Sequence, residues 1–273
     1  MILAQLTDLH IKEEGRLAYR KIDTSAALEA AFAHLRTQTT RPDLVLFTGD
    51  LVDTGRPEEY ARLRTHLAGL DIPFFLMPGN HDDRAALRAA FLDHAYLGRE
   101  GDRICYIIEH LPLRIIALDS LVPGQGGGAL GEGQLDWLAA RLAEQPDRPT
   151  LVALHHPPFA TGIGHMDQIG LADSAAFAEI IARHPQVERV LSGHVHRPIH
   201  ARWAGTIASI APSTAHQVAL DLRPDAPSAF VLEPAGYQLH HFTPGAALTS
   251  HTAIVGDWAG PFPFFDEEGR LIE

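Results

Sequence analysis

Residues 43–53 read DLVLFTGDLVD, an apolar run that halts at Gly49-Asp50 and reaches a second carboxylate at Asp53. A short continuous apolar run bounded by a turn signal predicts a strand buried on both faces. Glycine lets the backbone turn sharply at 49, and the two oxygens of the Asp50 carboxylate suit it to bridging two cations. Asp53 suits either a supporting position beside those ions or a turn residue capping the next segment.

The same pattern occurs at four other places. ILAQLT leads into Asp8-Leu9-His10, IPFFLM into Gly79-Asn80-His81-Asp82, TLVALH into His155-His156-Pro157-Pro158, and VERVLS into Gly193-His194-Val195-His196. An open α/β sheet gathers the carboxyl ends of its strands along one edge, so five such loops are expected to converge on one crevice. Together they predict a centre for two metal ions.

The spacing within each cluster says what each residue offers. Asp8 and His10, two apart, point the same way where strand geometry persists and can clamp one ion; His194 and His196 repeat that spacing. Asn80 offers a neutral amide oxygen to a hard cation, leaving His81 free to contact substrate or protonate a leaving alkoxide. The prolines at 157 and 158 fix an extended exit, so one of His155 and His156 is expected to be a ligand. His155 is favoured, with His156 as a neighbour orienting the site, but spacing alone does not separate them. Any one cluster is also an ordinary strand end or turn, and only the set of five carries the metal reading. Oxygen and imidazole donors without thiolates suit Mn, Fe, Co or Zn.

With 273 residues, 46% of them hydrophobic, the chain can bury one large core. No apolar run is long enough to span a membrane, and Asp8 follows the start too soon for a signal peptide, so a cytoplasmic protein is expected. The net charge of −12, from 22 Lys and Arg against 34 Asp and Glu, argues against a nucleic-acid partner. A small anionic substrate stays allowed, because two divalent cations invert local polarity. The single cysteine, Cys105, reads as a small core residue. Ser192 lacks the glycine elbow of a nucleophile.

Strand and helix patterns alternate up to 212, which predicts a layered α/β fold. Helices are expected over 23–38, 57–70, 83–94, 135–144 and 174–183, and further strands over 104–108 and 113–118. The glycine-rich 123–133 lacks the end of a phosphate loop and is expected to be a mobile loop near the site. Beyond 212, short β-like runs at 217–220, 229–232 and 237–242 suggest a division into 1–212 as catalytic domain and 213–273 as a β-rich cap, oligomerisation segment and tail. The aromatic, proline-containing stretch 258–268 is expected to pack against the body or a partner subunit.

The five clusters, in order D-x-H, G-D-x-x-D, G-N-H-D, H-x-P and G-H-x-H, resemble the signature of the calcineurin-like metallophosphoesterase superfamily. Within it, residues 55–60, 78–83, Met166-Asp167, His216-Gln217-Val218 and Ala259-Gly260-Pro261 look similar to the group of class III cyclic nucleotide phosphodiesterases and bacterial glycerophosphodiesterases. The likeness runs over nearly the full length and is thinnest in 98–133 and 220–252. It implies a four-layer α/β/β/α sandwich with a small C-terminal β-rich cap over the cleft. It also implies that Asp8, His10, Asp50 and His196 hold a first metal, while Asp50, Asn80, His155 and His194 hold a second. Tyr19 and His216 become candidates for the cap or cleft, although both types are ordinary on surfaces. The implied activity is hydrolysis of small phosphodiesters, glycerophosphodiesters or 3′,5′-cyclic nucleotides such as cAMP, by a metal-activated hydroxide. A phosphomonoesterase or protein phosphatase on the same centre, or a non-catalytic scaffold, is the alternative. A homo-oligomer, dimer or larger, is expected.

Overall fold

The computed structural model describes residues 1–98 and 103–272. Three of the apolar runs become β1 (Ile2–Leu6), β2 (Leu44–Thr48) and β3 (Phe74–Met77), parallel neighbours in one sheet. The helices α1 (Thr24–Arg36) and α2 (Pro57–Leu67) connect them, and α3 (Arg84–Ala90) follows β3. Asp23 caps α1 by accepting from Ala26 N. Pro57 opens α2, and the Glu59 carboxylate accepts from Arg56 N, which precedes it. Both helices end short of the expected 38 and 70. Thr37 Oγ1 turns back onto His34 O at the first end, and Gly69 follows the second.

The second sheet contains β4 (Tyr106–Ile108), β5 (Arg114–Ala117), β6 (Thr150–Ala153), β7 (Val187–Ser192), β8 (Ile199–Trp203) and β9 (Thr206–Ile210), in the order β4-β5-β6-β7-β9-β8. Strands β5, β6, β7 and β9 run parallel. The helices α4 (Glu132–Glu144) and α6 (Ser174–Ala182) are as expected within a few residues, and the short α5 (Gly164–Asp167) precedes α6.

Side-chain alternation in the second sheet shows how the layers stack. Ile115, Ala117, Leu151, Ala153 and Leu191 share a core with β1, β2, α1 and α2, whereas Ile116, Val152 and Val190 pack with Leu138 and Leu142 of α4 and Phe177 of α6. Helices, sheet, sheet and helices thus form four layers.

After 212 the chain does two things. The ribbon of β10 (Gln217–Val218) and β11 (Phe230–Val231) stands beside the ligand loops. The strands β12 (Gly236–His241) and β13 (Thr249–Ile254) return to the first sheet, with β12 antiparallel to β1 and β13 outside it. Thus only the ribbon has the position of an appendage. The tail aromatics do not pack on the body: Trp258, Phe262 and Phe264 are 64, 75 and 78% exposed. Cys105 is half-buried rather than a core residue, with its thiol donating to Gln134 Oε1 and pushed up to about 11 chiefly by burial.

Candidate metal centre

Each ligand cluster begins at the carboxyl end of a parallel strand: β1, β2 and β3 in one sheet, β6 and β7 in the other. Cross-links between loops set their positions. His10 N donates to Asp50 O, Gly193 N donates to His155 O, and the Gln5 amide bridges the sheets by donating to Thr48 Oγ1 and Ser192 O. Asp82 accepts from Leu51 N and Gly79 N, tying the Asp50 and Asn80 loops together. The contacts are so close that a Cβ at Gly79 would overlap the Asp50 carboxylate, and one at Gly49 would meet the His155 ring.

Five of the predicted ligands adopt the left-handed backbone region: Asp8, His10, Asp50, His194 and His196 have φ of 53, 46, 48, 71 and 57°. Residues with a Cβ avoid this region at a cost on the order of 1 kcal/mol each. Such strain clusters where side chains must be aimed, and here it aims them at one another.

The donor atoms fall into two overlapping groups. Asp8, His10, Asp50 and His196 form one, Asp50, His155 and His194 the other, with atoms within 4.8 Å of each other in each. Asn80 Oδ1 joins the second, 3.2 Å from His155 Nε2 and 3.0 Å from His194 Nδ1. In the first, His10 Nε2 and His196 Nε2 lie 3.2 Å apart.

The far side of each ring settles which nitrogen is free. His10 Nδ1 donates to Asp53 Oδ1, His155 Nδ1 to Thr48 O, His196 Nδ1 to His216 O and His194 Nε2 to Ile169 O. Every acceptor is a carbonyl or carboxylate oxygen, so the opposite nitrogens present lone pairs to the centre, as metal-bound imidazoles require. This donor set fits two hard or borderline cations. Asp53 does more than cap a turn: its other oxygen accepts from Lys12 Nζ at 2.7 Å, and its carbonyl accepts from His81 Nδ1 at 2.7 Å. His81 Nε2 is thereby the nitrogen left for other chemistry.

His156 is different. It is fully buried, its Nδ1 bonds to Ser120 Oγ, and its Nε2 donates to Gly126 O. It therefore sits behind the cleft, with its ring 4.5 Å from that of His194, rather than on the cleft wall. The same bond holds the glycine-rich loop, as do Gly128 N to Gly170 O and Ala129 N to Ser120 O, so that loop is anchored rather than free.

A cavity of about 370 Å³ opens over the donors, lined by Asp50, Asn80, His81 and the ribbon's Ser228 to Phe230. Tyr19 and His216 line it too, with rings 5.4 Å apart, and His216 lies 4.6 Å from His196. Sequence reasoning missed His165 and Met166 of α5 and Ile169, which complete the wall. A four-residue helix leaves no periodic signal to find. A neighbouring recess of about 620 Å³ shares Met166 but touches none of the ligand residues.

Burial works against every charge here, and neighbours decide the outcome. Burial raises Asp8, yet His196 and His155 bring it down to about 2; Asp50 falls against the same penalty through His155 and His81. Burial lowers His155, but Asp50 overrides it and lifts the imidazole to about 9. His194 and His216 drop to about 3 through burial reinforced by neighbouring imidazoles. His81 rises despite burial, because Asp50 and the Asp53 carbonyl favour its charged form.

A family model described as calcineurin-like phosphoesterase matches residues 1–198. The chain belongs to the calcineurin-like phosphoesterase family. Over the whole of both chains this phosphoesterase is 42% identical to the probable glycerophosphodiester phosphodiesterase GpdQ of Arcobacter nitrofigilis. It is 32% identical to the 3′,5′-cyclic adenosine monophosphate phosphodiesterase CpdA of Escherichia coli, across 79% of this chain and 76% of the relative. A dimetal phosphatase from Danio rerio has the same fold, with a TM-score of 0.64, 14% identity and coverage of 93% of this chain and 98% of that one. Membership of this family implies divalent metal ions, in agreement with the donor chemistry.

Proposed function

We propose that the chain is a phosphodiesterase that hydrolyses small phosphodiesters, glycerophosphodiesters or 3′,5′-cyclic nucleotides, to a phosphomonoester and an alcohol. The observation that carries this reading is the convergence of seven donors from five strand ends on two groups that share Asp50. Full-length similarity to a relative named as a diesterase supports diesters over monoesters.

In this reading Asp8, His10, Asp50 and His196 hold one divalent ion, and Asp50, Asn80, His155 and His194 the other; Mn, Fe, Co and Zn all suit the donors. Bound cations would polarise the phosphoryl group and supply an activated water. Asp50 and Asn80 position the phosphoryl group between the two donor groups. His81, held through Nδ1 by the Asp53 carbonyl, presents Nε2 to the phosphoryl oxygen or the departing alkoxide, where a proton is needed. Tyr19, His216 and Phe230 screen the cavity from water, with Tyr19 stacked 5.0 Å from Phe230. The ribbon within 213–273 acts as a cap. A cytoplasmic location and a homo-oligomer belong to the same reading. Among the described residues no helix is long and apolar enough to cross a membrane.

The test is a panel of glycerophosphodiesters, cyclic nucleotides and aryl diesters beside the matching monoesters. Higher kcat/KM on at least one diester than on every monoester is expected. Preference for monoesters would replace this reading by a phosphatase.

A further inference from the structure

Outside the five ligand loops, the polar side chains lining the cavity are Tyr19, His165, His216 and Ser228. Tyr19 and His216 form one aromatic group beside His10 and His196. His165 lies on the other bounding segment, on α5 beside Met166, with Ile169 following. Its surroundings there are apolar. Its Nδ1 is buried and meets no hydrogen-bond partner, the only such nitrogen in the cavity wall besides His216 Nδ1 among the described residues.

The backbone that carries His165 is well fixed. Asp167 accepts from Thr161 N, Thr161 Oγ1 and Gly162 N, and Met166 N donates to Ile163 O. The same segment reaches the metal centre, because Ile169 O receives the His194 Nε2 hydrogen. An imidazole held on a braced turn, unpaired in an otherwise apolar wall, has a buried polar group to satisfy, and a ligand hydroxyl can do so. A cavity wall that is apolar apart from one placed polar group reads ligand orientation through that group.

We infer that His165 is a specificity-determining residue, reading a hydroxyl on the alcohol portion of the substrate. The substrate class of this site is accordingly a phosphodiester of a polyol or sugar rather than of a plain alkyl or aryl alcohol. This inference rests on the phosphodiesterase reading above. Sites that hydrogen-bond a substrate hydroxyl discriminate against the analogue lacking it, because the site's own polar group is then left unpaired.

The test uses the metal-loaded protein and two diesters with one leaving group, glyceryl 4-nitrophenyl phosphate and propyl 4-nitrophenyl phosphate, which differ in hydroxyls. Calorimetric binding of glycerol 3-phosphate and propyl phosphate runs beside it. Wild type is expected to favour the glyceryl member of each pair by roughly tenfold, the scale of one hydrogen bond. His165→Leu is expected to abolish that preference by weakening the glyceryl member alone, His165→Gln to retain part of it, and both to keep wild-type metal content. A preference absent in wild type, unchanged in both variants, or lost through a parallel fall on both members would overturn the assignment. The binding pair separates the two failures: it reads His165 even if neither diester is hydrolysed, which would sink the phosphodiesterase reading alone.

Discussion

Asp50 Oδ2 stands 3.3 Å from His155 Nε2 and 3.6 Å from His10 Nε2, so one carboxylate belongs to both donor groups. Asp50→Ala is therefore expected to abolish turnover and empty both positions, whereas Asn80→Ala, which touches only the second group, lowers turnover and spares the first. Metal analysis of each variant beside kcat checks this; near-normal turnover and metal content in Asp50→Ala would end the two-metal reading. The adjacent histidines give a second comparison. His155 has one nitrogen bonded to Thr48 O and the other among the donors, while both nitrogens of His156 are engaged by Ser120 and Gly126. His155→Ala should lose the more metal. His156→Ala should instead lose about 2–4 kcal/mol of stability, from a buried cavity and two broken hydrogen bonds, read in urea titrations. If His156→Ala lost more metal, the ligand would move by one residue.

Between elements, His240 joins β12 to its neighbours: Nε2 donates to Gln5 Oε1 on β1, and Nδ1 accepts from Ser250 Oγ on β13. Burial and, more weakly, Arg189 and His200 hold this neutral imidazole down at about 3, against 6.5 for an unhindered histidine. As pH falls through that window the unfolded chain takes up a proton that the folded chain refuses. Stability present above pH 6.5 is thus lost on acidification, at up to about 1.4 kcal/mol per pH unit for this group. His240→Gln should flatten the slope of unfolding free energy between pH 6.5 and 5 by as much as one proton, and equal slopes would refute the assignment. The same contacts explain what the sequence did not reveal. Strands such as β2 announce themselves by an unbroken apolar run, and α1 by its stripe and Asp23 cap. The β8–β9 hairpin turns on Ala204-Gly205, with φ of 48 and 87°, where the usual Asn-Gly signal is missing. The strand β13 is an edge whose side chains are half-buried or exposed, so it has no apolar alternation to read. The ligands were visible as strand-end clusters, but Lys12 beneath Asp53 and His165 in the wall belong to no spacing pattern. Their positions come from tertiary contacts.

At the scale of the whole molecule, a net charge of −12 keeps like chains apart, yet the C-terminal face is strongly apolar. Phe265, Leu271 and Ile272 are 57, 64 and 54% exposed alongside Trp258, Phe262 and Phe264, and β13 leaves a free sheet edge nearby in sequence. Soluble monomers rarely leave such contiguous apolar segments or long free edges uncovered, because both invite pairing with another chain. Since the body does not cover the tail, a second copy is the occupant this chain itself supplies, and closed symmetric assemblies are the common outcome. Light scattering at micromolar concentration should give a multiple of the 29.8 kDa chain mass. The double variant Phe262→Ser with Phe264→Ser should move that mass toward the single chain, because burying two phenyl rings accounts for several kcal/mol of association. Metal content should be unchanged in that variant, since neither residue lines the cavity or contributes a donor. A wild-type mass equal to one chain would refute the assembly and leave the tail as an exposed segment of a monomer.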